Sequence, residues 1–140
     1  MEAYASRVAK AASRQKHLVM ILARELVSNL ATPTIIIDDR GWLVYFNEAA
    51  EETLQVTFAE IGEMPVEEFS SKYEPRNLEG VQRPFDQRPA GIALYERRPA
   101  HERLLITSAD GEEREVGITA IPLFAHKDEF LGVINFWWRE

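Results

Sequence analysis

The run EFLGVINFWW, residues 129–138, is apolar on both of its alternating faces. Phe130, Gly132, Ile134, Phe136 and Trp138 share one parity; Leu131, Val133, Asn135 and Trp137 share the other. An antiparallel strand with one face in water alternates apolar with polar residues. This strand does not, so the fold must cover it on both sides. Asn135 is the polar exception, and two roles stand for it. It hydrogen-bonds under a helix at the start of the chain, or it fixes a partner's register.

One cover is visible at the start of the chain. Val8, Ala11, Ala12, Gln15, Leu18, Val19, Leu22, Leu26 and Leu30 recur mostly at steps of three or four, which predicts a helix over residues 3–30. No proline or glycine interrupts it before Pro33, and Asn29 with Thr32-Pro33 gives a stop. The apolar run Leu18–Ala23 is six residues long and ends at Arg24 and Glu25. That is too short for a membrane span or an export signal, and we expect a cytoplasmic protein.

The remaining residues suit one domain, since 140 residues can bury a core of their own. The formal net charge is -7, unevenly spread. Residues 1–30 carry five basic and two acidic side chains, and residues 31–140 carry eleven and twenty-one. So acidic a body argues against nucleic acid as a ligand. No cysteine is present, which removes disulfides, thiolate metal sites and cysteine nucleophiles.

Ile35–Ile37 and Trp42–Phe46 flank Asp38-Asp39-Arg40-Gly41 and predict a hairpin. Asn47 caps a short helix, EAAEETL. AEIGEMPVEEF gives one or two helical turns, and SSKYEPRNLEGVQRP reads as loop. In FDQRPAGIALYERRPAH, Asp86 is the expected N-cap, Pro89 suits the first turn, and Ala90–Arg97 is helix until Pro99 forbids it. Strands follow at about 102–108, 113–124 and 130–138. Asp110-Gly111 turns the first pair and AHKDE the second. Pro122 implies a bulge or an edge within the middle strand.

This order of elements resembles a PAS domain over about residues 31–138. The matching stretches are IIIDDRGWLVYFNEAAEETL, RPAGIALYERRPAHE, ITSADGEEREVGITAIPL and EFLGVINF. None is specific alone; the ordered set is a fairly strong signal. The resemblance implies an α+β fold with a five-stranded antiparallel sheet in the order 2-1-5-4-3. Short helices cover one face and the long N-terminal helix the other. The domains would be residues 1–30, a dimerisation or signalling helix, and 31–140, the PAS domain. It implies a sensory or interaction module rather than an enzyme, passing a change to its helix or to an output domain after Glu140. A fragment and a stand-alone regulator are both open.

The same resemblance places Ile35, Ile37, Leu104, Ile106, Ile118, Ala120, Ile134 and Phe136 inward, an entirely apolar lining. The flavin-binding branch of the family uses a reactive cysteine and polar strand residues. Here there is no cysteine, and the family's glutamine on the last strand falls at Ile134, so no flavin is expected. Two readings stand for the lining: packed core, or a cavity for an apolar small molecule such as a fatty acid. Haem would need an axial ligand. His17 sits in the leading helix and His126 in a turn. Only His101 lies near the expected pocket mouth, and the polar RRPAHER around it argues for a solvated side chain. No cofactor and no metal is expected.

No nucleophile elbow, phosphate-binding glycine loop or zinc-protease motif occurs, and the glutamates of 48–68 read as solvated helix faces. The alternative is a small ketosteroid-isomerase-like enzyme, which would need an acid or base in its pocket. A different strand order, or a buried Asp or His facing the cavity, would mark it. Finally, residues 4–29 would span about 40 Å as helix, while five strands side by side are only about 20–24 Å wide. The surplus apolar stripe predicts a homodimer, with Leu18, Leu22 and Leu26 packed on an outer sheet face of Ile121, Val133 and Trp137.

Overall fold

The computed structural model describes residues 2–139, with the side chains of Glu2, residues 8–17 and Lys127 outside the described set. Val8, Ala11, Ala12, Gln15 and His17 therefore fall outside it as side chains. Helix α1 (Glu2–Ser28) leads into strand β1 (Thr34–Asp38), which turns into β2 (Trp42–Phe46). Asp38 closes that turn with its own carboxylate, which accepts from the Arg40 and Trp42 amides at 2.9 and 3.0 Å. Three short helices follow: α2 (Glu48–Leu54), α3 (Phe58–Ile61) and α4 (Val66–Ser71). A two-residue strand, β3 (Met64–Pro65), lies between the last two. Thr57 and Glu60 form a capping box at the start of α3.

Beyond a loop, a single 3₁₀ turn at Phe85–Gln87 feeds α5 (Pro89–Tyr95). The N-cap of α5 is Arg88, not Asp86. Arg88 N donates to the Phe85 carbonyl and Gln87 N to the Pro84 carbonyl, so Asp86 is spent inside the preceding turn. Pro89 forces the extended backbone of the residue before it, and Arg88 sits at φ -94, ψ 160. Gly91 is required beside that turn: a Cβ there would lie 2.0 Å from the Phe85 carbonyl oxygen.

Strands β4 (Ala100–Thr107), β5 (Glu113–Ala125) and β6 (Glu129–Arg139) complete the chain. The sheet runs β3-β2-β1-β6-β5-β4 and is antiparallel throughout. It has six strands rather than five, because Met64–Pro65 adds a short edge beside Trp42–Leu43. The other five keep the expected order. β4 ends opposite Ala120, so Pro122 lies past the end of that neighbour and beside the register shift at Leu123/Phe124.

That shift decides which side of β6 is inside. Leu123 pairs with Gly132, but Phe124 pairs with Phe130, so Leu131 is an extra residue in β6. A one-residue bulge exchanges the faces of everything beyond it. Phe130 is in the inner core; after the bulge Val133, Asn135 and Trp137 face inward, opposite Ile37 and Ile35 of β1 and Ile118 of β5. Ile134 and Phe136, expected inside, lie on the outer face with Ile121 and Leu123. Val133 and Trp137, expected outside, are 0% and 5% exposed in the core. Gly132 sits at φ +152, and a Cβ on it would meet the Ile37 carbonyl oxygen at 2.1 Å. Only glycine lets β1 and β6 approach here.

The inner face is covered by α2, α4 and α5 around Phe46, Leu54, Phe69, Ala93 and Leu94. Among the described residues, the outer face receives the end of α1. Arg24 lies over the Tyr45 ring at 4.5 Å, Val27 is buried, and Leu26 and Leu30 border a furrow with Ile121, Ile134 and Phe136. Leu18 and Leu22 stay exposed. The described side chains of the leading helix thus cover one end of the outer face.

Asn47 joins the parts, and it is fully buried. Its Oδ1 accepts from Ala50 N at 3.0 Å, which caps α2, and from Thr34 N at 3.1 Å, which starts β1. Its Nδ2 donates to the Val27 and Thr32 carbonyls at 3.0 and 2.9 Å, which hold the end of α1. Replacing Asn47 by Ala is expected to cost about 3–5 kcal/mol in urea unfolding, well above the ~1 kcal/mol of a simple cap, because several buried groups lose their partner together. Asn47→Asp should fare no better, since a carboxylate would face carbonyl oxygens. A loss near that of a simple cap would show that the link to α1 carries no stability. Gly132→Ala is expected to cost at least about 3 kcal/mol in the same measurement; a loss under about 1 kcal/mol would mean that β1 and β6 can separate freely at the bulge.

Candidate functional site

The inner sheet face and its covering helices border a partly open cavity of about 80 Å³. Ile35 from β1 and Ile118 from β5 form part of its floor, with Leu104 and Ile106 from β4 beside them. Phe69 of α4, Tyr73 and Phe85 close it from the helical side. These residues fold here for ordinary reasons. The strand residues alternate inward, and the aromatic rings stack edge to face, Phe69 on Tyr73 at 5.3 Å between centroids.

Four of the eight inward residues expected from sequence line the cavity: Ile35, Leu104, Ile106 and Ile118. Ile37 and Ala120 are on the inner face and fully buried in the core beside it. Ile134 and Phe136 are not there, for the reason of the bulge. Their places are taken by Asn135 and Trp137, so the lining is not entirely apolar. The volume is also far below the roughly 300–1,000 Å³ of sites for larger organic ligands. A long-chain fatty acid or a haem does not fit within it.

Arg88 is the residue that sequence reading missed. It enters the cavity wall from the N-cap of α5 and is 8% exposed. Burial pushes its guanidinium below the usual arginine range, partly offset by the charge of Glu67. The available signal was the Arg-Pro pair, since a residue held extended before a helix cannot turn its side chain along the helix surface. Tyr73 is likewise pushed up to about 12 by burial, so its hydroxyl stays protonated.

His101 does not reach this cavity. Its Nδ1 lies 2.9 Å from Thr119 Oγ1, and its ring stacks on Trp138 at 5.2 Å, on an exposed stretch of the sheet. His126 is exposed in its turn. Among the described residues the lining contains no Asp, Glu or His, and no group of three such side chains is placed to hold a metal ion. No helix of the described residues is long and apolar enough to cross a membrane.

Comparison with known proteins follows this geometry. Solved structures share the architecture at low identity. The PAS domain of BvgS from Bordetella pertussis superimposes with a TM-score of 0.60 at 21% identity, over 86% of this chain and 84% of that one. The PAS domain of nitrogen regulation protein NR(II) from Vibrio parahaemolyticus gives 0.56 at 18% identity, over 85% and 98%. The fungal blue-light photoreceptor Vivid, as its light-state dimer, gives 0.59 at 15% identity, over 79% of each chain. No curated protein matches the sequence. The sequence profile of the PAS fold, however, matches residues 22–137, and together with the strand order this places the chain in the PAS domain family.

Proposed function

We propose that this chain is a non-catalytic sensory module of signal transduction, in which a small molecule held in the inner cavity alters how α1 meets a second copy of the chain. Residues 1–30 act as the dimerisation and signalling helix and residues 31–140 as the sensor. One observation carries this reading: β6 serves both faces. Asn135 and Trp137 stand in the cavity wall, while the intervening Ile134 and Phe136 border the furrow at the end of α1. A shift of β6 on one side is felt on the other, because strand side chains alternate on a single backbone. The placement of the chain among PAS domains supports it, as does a matched PAS domain from a two-component sensor histidine kinase. An output domain or a signalling partner receives the change, and neither nucleic acid nor membrane takes part.

The dimer surface consists of Leu18, Leu22 and Leu26 on α1, 55%, 58% and 63% exposed, with Ile121 on the outer sheet face. Val133 and Trp137 are removed from it, since they point into the core; Ile134 and Phe136 replace them. Sedimentation at tens of micromolar is expected to give a dimer. Leu22→Asp should give a folded monomer, with stability changed by no more than about 0.5 kcal/mol because the site is exposed within one chain. A wild-type monomer would overturn the dimer.

Ile118→Trp tests the cavity. In a filled core, such overpacking costs about 1–3 kcal/mol. Here the added ring enters open space, so the loss should stay under about 1 kcal/mol, while native mass spectrometry shows retained small molecules in wild type and none in the variant. A full overpacking cost would show that the cavity is closed core.

A further inference from the structure

Beyond its extra residue Leu131, β6 is filled the less expected way round. Asn135 and Trp137 point inward, and Asn135 Oδ1 and Trp137 Nε1 are buried there without a hydrogen-bond partner. Ile134 and Phe136, which carry no polar side-chain atom, border the outer furrow instead. Burying an unpaired polar atom while an apolar neighbour stays half-exposed is a cost that a shift of one residue removes. Register is weakly specified where both parities of a strand are apolar, and β6 is such a strand.

The neighbouring register has no bulge. Taking Leu131 into the ladder opposite Leu123 moves each later residue one place along β5. Val133 then stands opposite Ile121, Ile134 opposite Ala120, Asn135 opposite Thr119, Phe136 opposite Ile118 and Trp137 opposite Gly117. The main-chain ladder re-forms bond for bond, because β6 contains no proline. The partners suit both fillings. Gly117 makes room for the Trp138 ring, since a Cβ there would lie 2.7 Å from it, and the adjacent Trp137 brings the same side chain to that place. Thr119 exchanges Phe136 for Asn135, whose amide then reaches water on the outer face. What favours the bulged register is Val133: the slip gives its buried place opposite Ile37 to Gly132.

We propose that β6 exchanges between the bulged register and this bulge-free one, and that the exchange is the switch of the module. It replaces Asn135 and Trp137 in the cavity wall by Ile134 and Phe136, removes Ile134 and Phe136 from the furrow, and advances the end of β6 by about 3.4 Å. A molecule in the cavity meets a different wall in each register, and so shifts their populations. This last step names the regulation of the sensory module proposed above and rests on that reading; the exchange itself rests on the sheet.

The chain has no cysteine, so introduced pairs report register without background. Directly opposed residues of neighbouring antiparallel strands lie within disulfide reach, and residues on opposite faces do not. Ile121→Cys with Ile134→Cys is opposed in the bulged register and should cross-link readily under mild oxidation. Ile121→Cys with Val133→Cys is opposed only after the slip, as is Thr119→Cys with Asn135→Cys, which serves should the first pair fail to fold. Ile121→Cys with Asn135→Cys is opposed in neither register and reports unfolding alone. Intact-mass measurement is expected to show both slip pairs forming the intramolecular bond at least about tenfold faster than this last pair. Rates no faster than it, while the bulged pair links normally, would overturn the exchange and leave the dimer standing. Sedimentation then compares the two trapped forms. The form locked through residues 121 and 133 should associate at least about tenfold more weakly than the form locked through 121 and 134, because Phe136 has left the furrow. Equal association would overturn the exchange as a signal and leave two registers without that role. Monomers in both forms and in wild type would overturn the dimer reading, with the exchange still judged by its cross-links.

Discussion

The burial of a single amide holds this architecture together. Asn47 has room for two acceptor and two donor interactions in its side chain, and the fold gives it all of them from three elements. A buried amide so satisfied contributes geometry as well as energy, because each bond constrains the others. It sets where α1 stops, where β1 starts and where α2 is capped. Other ties extend the same frame: Ser108 Oγ donates to the Thr53 carbonyl at 2.7 Å, and Ala109 N to the Leu54 carbonyl, fixing the far end of α2 to the β4–β5 turn. The helical layer is thereby hung from both hairpins, and the cavity is what remains between it and the sheet.

Most of the cavity wall is aliphatic or aromatic, and shape alone would explain those residues. Arg88 is different, because a guanidinium is never discharged; its desolvation is offset in part by the charge of Glu67 and by the Phe85 ring, whose centroid is 5.4 Å from its Cζ. Other arginines of the chain are paired with carboxylates. Arg114 is paired with Asp110, whose carboxylate is held below its usual range chiefly by that bond and by the Glu112 amide. Arg83 is paired with Glu102 at 2.7 Å, and Arg76 with Glu113. Arg83 Nε and Arg114 Nε are nonetheless buried without a hydrogen-bond partner, as Arg88 Nε is, so the unpaired nitrogen does not set Arg88 apart.

Much of the fold was legible in the chain. Periodicity found α1, turn chemistry at Asp38–Gly41 and Asp110–Gly111 found the hairpins, and Asn47 announced its cap. Those signals are local, acting within a few residues. What escaped was set by pairs distant in sequence. β3 forms because Met64–Pro65 reaches Trp42, not because two residues have strand character. The inward parity of β6 depends on one extra residue at Leu131, and both parities of that strand are apolar, so hydrophobicity could not reveal the slip. For the same reason the β1, β4 and β5 residues expected to face inward do so, and the β6 residues face the other way. The double role of Asn47 was invisible too, since a cap motif says nothing of carbonyls 15 and 20 residues away.

The bulge at Leu131 has a further meaning for how this chain tolerates change. Substitutions elsewhere on β6 alter one face at a time. Loss or gain of a single residue between Phe130 and Gly132 would instead exchange the two faces wholesale, delivering Ile134 and Phe136 to the cavity and Asn135 and Trp137 to the outer surface. The cavity lining and the outer furrow are therefore coupled by length. In this segment the number of residues is a heavier constraint than their identity, and two related chains aligned here without a gap need not share a single inward position.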